Sequence, residues 1–279
     1  MPFRGGIRSN TLDIYSVAFW AQMLALGAAV GFLSAALGIG GGVLMVPAFL
    51  QFIDGIDPHT AKGTSLFIIV FVAAVNVWRL NRGVSPDGLW TLAALIAVGS
   101  MGGSALGVWV TSLMSRKAVL WFFVAVMTAG GIRTLLIEPR LVDAVRTDGR
   151  TASSILIGLA TGFAAGATGI GGGLVMVPLV LITRLAPNRR VVALSNMVMV
   201  PTCLVGAFGH AIASRATDLP YTLGQISLGL APAVFVGTQV GAPLGTWVNA
   251  RLTLRRRKFV MGIVLFVVAV QMIYRAVRM

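Results

Sequence analysis

The chain has 279 residues, 57% hydrophobic and 11% charged, with 22 Lys and Arg against 8 Asp and Glu and a formal charge of +14. Mean hydropathy is +0.90. Soluble domains carry about 25% charged residues, so an ordinary soluble enzyme, a disordered chain and a coiled coil are excluded, and an all-α polytopic integral membrane protein embedded in a lipid bilayer is implied.

The basic residues sit in short clusters between apolar runs. They therefore read as membrane-loop charge rather than a nucleic-acid surface, and they suit an anionic substrate. The single cysteine, Cys203, lies in an apolar run, which rules out an intramolecular disulfide and a zinc pattern and reads as a small core residue.

Residues 1–16 form a polar, basic segment, and the apolar run 17–37 after it lacks an obvious small-residue cleavage site, so it reads as a retained first helix. A glycine knot follows, Gly38-Ile39-Gly40-Gly41-Gly42, and then a short apolar run, 43–53. Such a run rises about 16 Å as a helix, half of a ~30 Å bilayer core, so it predicts a half-helix or re-entrant piece. Spans are predicted at 63–80, 89–113 and 118–137, closing a first membrane repeat, 17–137. A polar linker, 138–152, leads to the second, 153–279. There an apolar run, 153–168, leads to a second knot, Gly169-Ile170-Gly171-Gly172-Gly173, a short run, 174–182, and spans at 191–212, 221–248 and 259–277.

The halves match in sequence. GFLSAALGIGGGVLMVPAFL from Gly31 pairs with GFAAGATGIGGGLVMVPLVL from Gly162 at an offset of 131. GSMGGSALGVWV from Gly99 pairs with GTQVGAPLGTWV from Gly237 at an offset of 138, so an insertion separates the two motifs in the second half. Two ordered matches predict two homologous halves of about four spans each, with glycine-interrupted short helices. That plan recurs in transporters, with the site at the repeat interface. The two knots are accordingly expected at similar depth, related by a pseudo-twofold axis.

The doubled block G-I-G-G-G-x-x-M-V-P, at Gly38–Pro47 and Gly169–Pro178, resembles the TauE/SafE family of sulfite and organosulfonate exporters, as do Thr64-Ser65 and the late G-x-x-x-G-x-x-L-G run of each half. The resemblance implies a polytopic permease, usually drawn as eight spans, for sulfur-containing anions. Thr64-Ser65 becomes Ser195-Asn196 in the second half, so the half-sites need not be equivalent.

The knots are the leading site candidates, through Gly40, Gly41, Gly42, Gly171, Gly172 and Gly173. A half-helix starting there leaves about four N–H groups without intrahelical partners, and its dipole favours an anion. Tight helix-packing turns are the alternative. Thr64, Ser65, Ser195 and Asn196 offer hydroxyl and amide donors to sulfonate or sulfite oxygens, or else bond their own helices. Thr168 is a weaker candidate.

Lys62 could attract anions, although snorkelling at a span start is the blander reading. Arg79 and His210 share a place under the 131 offset, and a histidine there reads as interfacial. Asn76 and Gln239 could line a cavity or bridge helices. None of the eight carboxylates falls at a span centre, which disfavours a cation carrier and a carboxylate proton relay. No Walker A motif, nucleophile–base constellation or metal-ligand spacing occurs, so no enzyme activity, metal or cofactor is expected. The basic clusters 251–258, 184–190 and 116–117 suit a cytoplasmic side.

The resulting expectation is a bacterial inner-membrane secondary transporter for a small sulfur-containing anion, working by alternating access and driven by an ion gradient or by the substrate's own. An anion channel and a non-transport assembly or sensor subunit stay open as alternatives.

Overall fold

A computed structural model describes residues 16–37, 42–53, 55–82, 88–136, 150–215, 217 and 219–278. Ten helices and one short hairpin occur among them: α1 (Val17–Leu37), α2 (Gly42–Phe52), α3 (Pro58–Asn81), α4 (Leu89–Ser112), α5 (Arg116–Leu136), α6 (Arg150–Thr168), α7 (Gly173–Ile182), α8 (Asn188–Ile212), β1 (Thr222–Leu223), β2 (Ile226–Ser227), α9 (Ala231–Arg251) and α10 (Leu254–Arg278). Seven of these helices are long and apolar enough to cross a membrane. Helix α9 has the length but is diluted by Gln239, Thr246 and Asn249.

Local signals set the helix starts. The Ser16 hydroxyl accepts Phe19 N–H at 3.1 Å ahead of α1. Ser115 does the same for Ala118 ahead of α5, at 3.2 Å. Asp57 caps α3 by accepting His59 N–H at 2.8 Å, with Pro58 in the first turn where no N–H is missed. Helices α2 and α7 are short, as expected, and each contains a proline, Pro47 or Pro178.

The exterior is apolar and much of the interior is polar. All six tryptophans are exposed, with Phe71, Phe259 and Phe266 among many other large apolar side chains. Buried side chains include Ser34, His59, Thr60, Lys62, Thr64, Ser65, Ser100, Ser104, Thr202 and His210. Lipid accepts the first set, and polar groups must then be satisfied inside the bundle. The chain is an integral membrane protein.

Helix α1 packs against α9, α4 against α6, α3 against α8, and α5 against α10. Glycines decide the first two crossings. A Cβ at Gly27, Gly237 or Gly241 would strike backbone carbonyls across the α1–α9 contact, and one at Gly99, Gly103, Gly158 or Gly162 would do so across α4–α6. The late glycine runs of the sequence are thus close-packing stripes.

The sequence reading of 221–248 as one apolar span is corrected. Residues 222–227 form the antiparallel β1–β2 pair, and α9 begins only at Ala231. Tyr221 and Gly224 take left-handed φ values of 53° and 54°, which bend the chain into the turn.

Candidate functional site

The two half-helices begin beside one another. Gly42 opens α2, and a Cβ on it would collide with the Ile170 carbonyl and stand 2.6 Å from Ile69 Cδ1. Gly40 and Gly41 lie outside the described residues. In the second knot Gly169, Gly171 and Gly172 have φ of 78°, 82° and 79°, a region costly for any residue with a Cβ. Gly172 caps α7, and its carbonyl accepts the N–H groups of Val175 and Met176 at 3.0 and 2.9 Å. The N–H groups of Gly171, Gly172, Gly173 and Leu174 have no acceptor among the described residues. The knot is buried, with Met199, Ile69 and Thr161 packed on it.

The first two turns of α3 run alongside the second knot. Lys62 is 1% exposed, and its backbone lies over Gly169, whose Cβ, if present, would sit 2.8 Å from Lys62 Cα. Its Nζ donates to Thr111 Oγ1 at 2.9 Å on α4 and to the Ala167 carbonyl at 3.3 Å on α6. The snorkelling reading is therefore corrected. Helix α3 starts at Pro58, not near Gly63, so Lys62 stands more than a turn inside the helix, facing the bundle.

Ser65, one turn further, donates to the Gly169 carbonyl at 2.8 Å. Thr64 accepts Ser227 N–H from β2 at 2.9 Å. Ser195 reaches only Met199 Sδ, at 3.7 Å. Asn196 accepts from Asn76 at 3.1 Å, tying α3 to α8, and donates to the Val192 carbonyl at 2.8 Å. Thr168 bonds back to Ala164 of its own helix at 2.6 Å. The fold thus brings Ser65, Gly42 and Gly171–Gly173 together, turns Thr64 to the hairpin, and gives Ser195 and Asn196 partners within α3 and α8.

His210 is also corrected. It is 1% exposed, not interfacial, and its Nδ1 lies 2.7 Å from Gln225 Oε1 in the hairpin turn. Gln225 in turn donates to the Ser214 carbonyl at 3.3 Å, which directs its oxygen to the ring and places the proton on Nδ1. His210 Nε2, His59 Nδ1, the Thr60 hydroxyl and the Ser104 hydroxyl are buried without hydrogen-bond partners among the described residues. Arg79 is exposed.

Asp57 is the one carboxylate among the described residues. Its Oδ1 stands 2.5 Å from Arg116 Nε, and its Oδ2 takes His59 N–H. Among the described residues, a lysine and two histidines are thus buried with one carboxylate, which an arginine engages. The signal for Lys62 was present in the sequence as Asp57-Pro58, a cap followed by proline, which starts the helix before its hydropathy rises.

Comparison with known proteins agrees with this architecture. The chain is 24% identical over 278 residues to "Probable membrane transporter protein YunE" of Bacillus subtilis, covering 91% of this chain and 97% of that one. It is 25% identical over 257 residues to a "Probable membrane transporter protein" of Methanocaldococcus jannaschii, covering 90% and 94%. A "Probable membrane transporter protein" of Xylella fastidiosa is 27% identical over 259 residues, covering 90% and 93%. No solved structure matches. The family described as "Sulfite exporter TauE/SafE" matches residues 23–272. With its apolar exterior, paired half-helices and a match that spans nearly its whole length, the chain belongs to the TauE/SafE family of membrane transporters.

Proposed function

We propose that this protein is a secondary transporter of the bacterial inner membrane that carries a small sulfur-containing anion, such as sulfite or an organosulfonate. The family description supplies the substrate class. The observation that carries the reading is the meeting of the α2 and α7 heads, Gly42 against Ile170, with the N–H groups of Gly171–Leu174 left over. Oxyanions bind such groups without a covalent partner, and weakly enough to leave.

Alternating access then moves helix pairs rather than sequence halves. Helices α1 and α9 pack as one pair and α4 and α6 as another, each drawing on both halves of the chain, with α3 packed on α8 and α8 on α4. Tearing the glycine crossings apart would be costly, whereas sliding one pair past the other keeps them. Helix α9 serves as an eighth crossing, since it packs on α1 along glycines as α4 packs on α6.

The test is counterflow in liposomes with sulfite, sulfate and a small sulfonate. Saturable, mutually competing counterflow is expected. Unsaturable conductance would replace the carrier by a channel, and sodium or ammonium transport without any anion effect would refute the reading. Gly172→Leu should abolish counterflow while the protein still inserts, because its left-handed φ and the Thr161 methyl at 2.7 Å leave no room for a side chain. A folded Gly172→Leu protein with full transport would remove the knot from the site.

A further inference from the structure

We propose that Lys62 is the charged anchor of the substrate anion, buried among the first two turns of α3, Thr111 of α4, the end of α6 at Ala167 and the hairpin-braced His210. The inference rests on the transport reading above and adds the binding group to it.

Burying an ammonium without a counter-charge is expensive, and buried cations are normally paired. Lys62 has two neutral acceptors, Thr111 Oγ1 and the Ala167 carbonyl, and the third N–H of its ammonium has none among the described residues. Thr111 gives its own proton to the Gly107 carbonyl at 2.8 Å, so its oxygen is fixed as an acceptor and aims the ammonium. The carboxylate at the head of the same helix, Asp57, attracts Lys62 electrostatically but makes no ion pair with it, its oxygens being taken by Arg116 and by the His59 N–H. An anion supplies the close counter-charge that Nζ lacks.

The groups around Lys62 are polar and unspent. His59 precedes it by three residues and so shares its face of α3. Its Nδ1 is buried without a hydrogen-bond partner among the described residues. From α8, the His210 ring reaches the next residue of α3, where a Cβ on Gly63 would stand 2.9 Å from His210 Cβ. Lys62, His59 and His210 lie within electrostatic range of one another. A tetrahedral or pyramidal oxyanion accepts from Nζ with one oxygen and must turn the others away from His210 Nε2, which is an acceptor because the ring proton sits on Nδ1. The arrangement selects small sulfur oxyanions and sulfonates by charge, and neutral sulfones of equal size lack the charge that Nζ requires.

The experiment measures ligand-induced melting shifts of purified protein with sulfite, methanesulfonate and neutral dimethyl sulfone, alongside counterflow of the same probes. Wild type should be stabilised by the two anions and not by the sulfone. K62Q should lose at least about tenfold in anion affinity while keeping a cooperative melt, and K62R should recover part of it. Folded K62Q with wild-type affinity overturns the inference and leaves the transport reading intact. Anion stabilisation that depends on Lys62 with no counterflow overturns the transport reading and leaves the anchor. Should K62Q fail to fold, T111V decides: it keeps the charge but loses its aim, and affinity unchanged from wild type overturns the proposal. Equal stabilisation by dimethyl sulfone overturns it without any variant.

Discussion

Helices α3 and α8 occupy corresponding places at the 131 offset and pack on each other, yet they contribute differently to the interior. Helix α3 carries Asp57, His59, Lys62, Thr64 and Ser65 in its first turns. The corresponding positions of α8 are Asn188, Arg190, Ala193, Ser195 and Asn196, so the lysine faces no second lysine. The connections after them differ as well. Residues 82–88 join α3 to α4, whereas 213–230 join α8 to α9 and hold the β1–β2 hairpin, where the insertion implied by the changed offset falls. That hairpin binds Thr64 and His210. The first half supplies the charge, and the second supplies backbone carbonyls, Ala167 and Gly169, and a cover. Segments that share a motif can therefore present different interior groups, because packing constrains only the positions where helices touch.

The comparison is sharpest where the two halves should behave alike. Gly103→Val and Gly241→Val, at corresponding positions of the two halves, each drive a side chain into a facing backbone carbonyl, of Leu159 and of Ala28. Both should abolish folded protein, read as loss of monodisperse material after detergent extraction. Gly102→Val on α4 meets nothing within 4 Å and should extract as wild type. A normal yield for only one of the two crossing variants would break the equivalence of α4–α6 with α1–α9.

The next largest effect separates the halves. Thr64→Val removes the acceptor of Ser227 N–H and leaves a buried donor unpaired, at a cost of about 1–3 kcal/mol. The corresponding Ser195→Ala loses only a 3.7 Å contact to a sulfur and should cost less than about 0.5 kcal/mol. Melting temperatures of the two variants test the ordering, and equal losses would show that the hairpin braces α3 no more than Met199 braces α8.

Asp57→Asn gives α3 the residue that α8 has at the matching position. Asn caps helices as well as Asp, so the cap persists, while the pairing with the exposed Arg116, worth about 0–1 kcal/mol, and the attraction of Asp57 for Lys62 and His59 are lost. The melting temperature should fall slightly. Anion affinity should rise, because the interior loses its one described negative charge. A weaker affinity would mean that Asp57 orients the site rather than opposing the anion.

Much of the fold was legible. The run 17–37 became α1 with its ends unchanged, and both short post-knot helices formed where the glycines and prolines placed them. Of the residues expected at the site, the second knot, Gly42 and Ser65 lie close to one another in the fold. Lys62 and His210 were misread because hydropathy scores a polar helical turn as a span end, whether it meets water or the bundle interior. The hairpin was missed because 221–230 is nearly as apolar as the helix after it, and apolarity alone does not distinguish a short turn covering a bundle from the start of a span.

By itself the sequence determined that the chain lies in a membrane, that its two halves repeat a motif and that half-helices follow each glycine knot. Composition, period and chain breaks are local properties, and they survive without knowledge of neighbours. Only the tertiary structure decided that α1 packs on α9 and α4 on α6, that Gly42 meets Ile170 of the second knot, and that Lys62 is shut in beside Gly169 with neutral hydrogen-bond partners. These depend on which helix faces meet across more than a hundred residues of chain, and a lysine reads the same in sequence whether its ammonium ends in water or between helices.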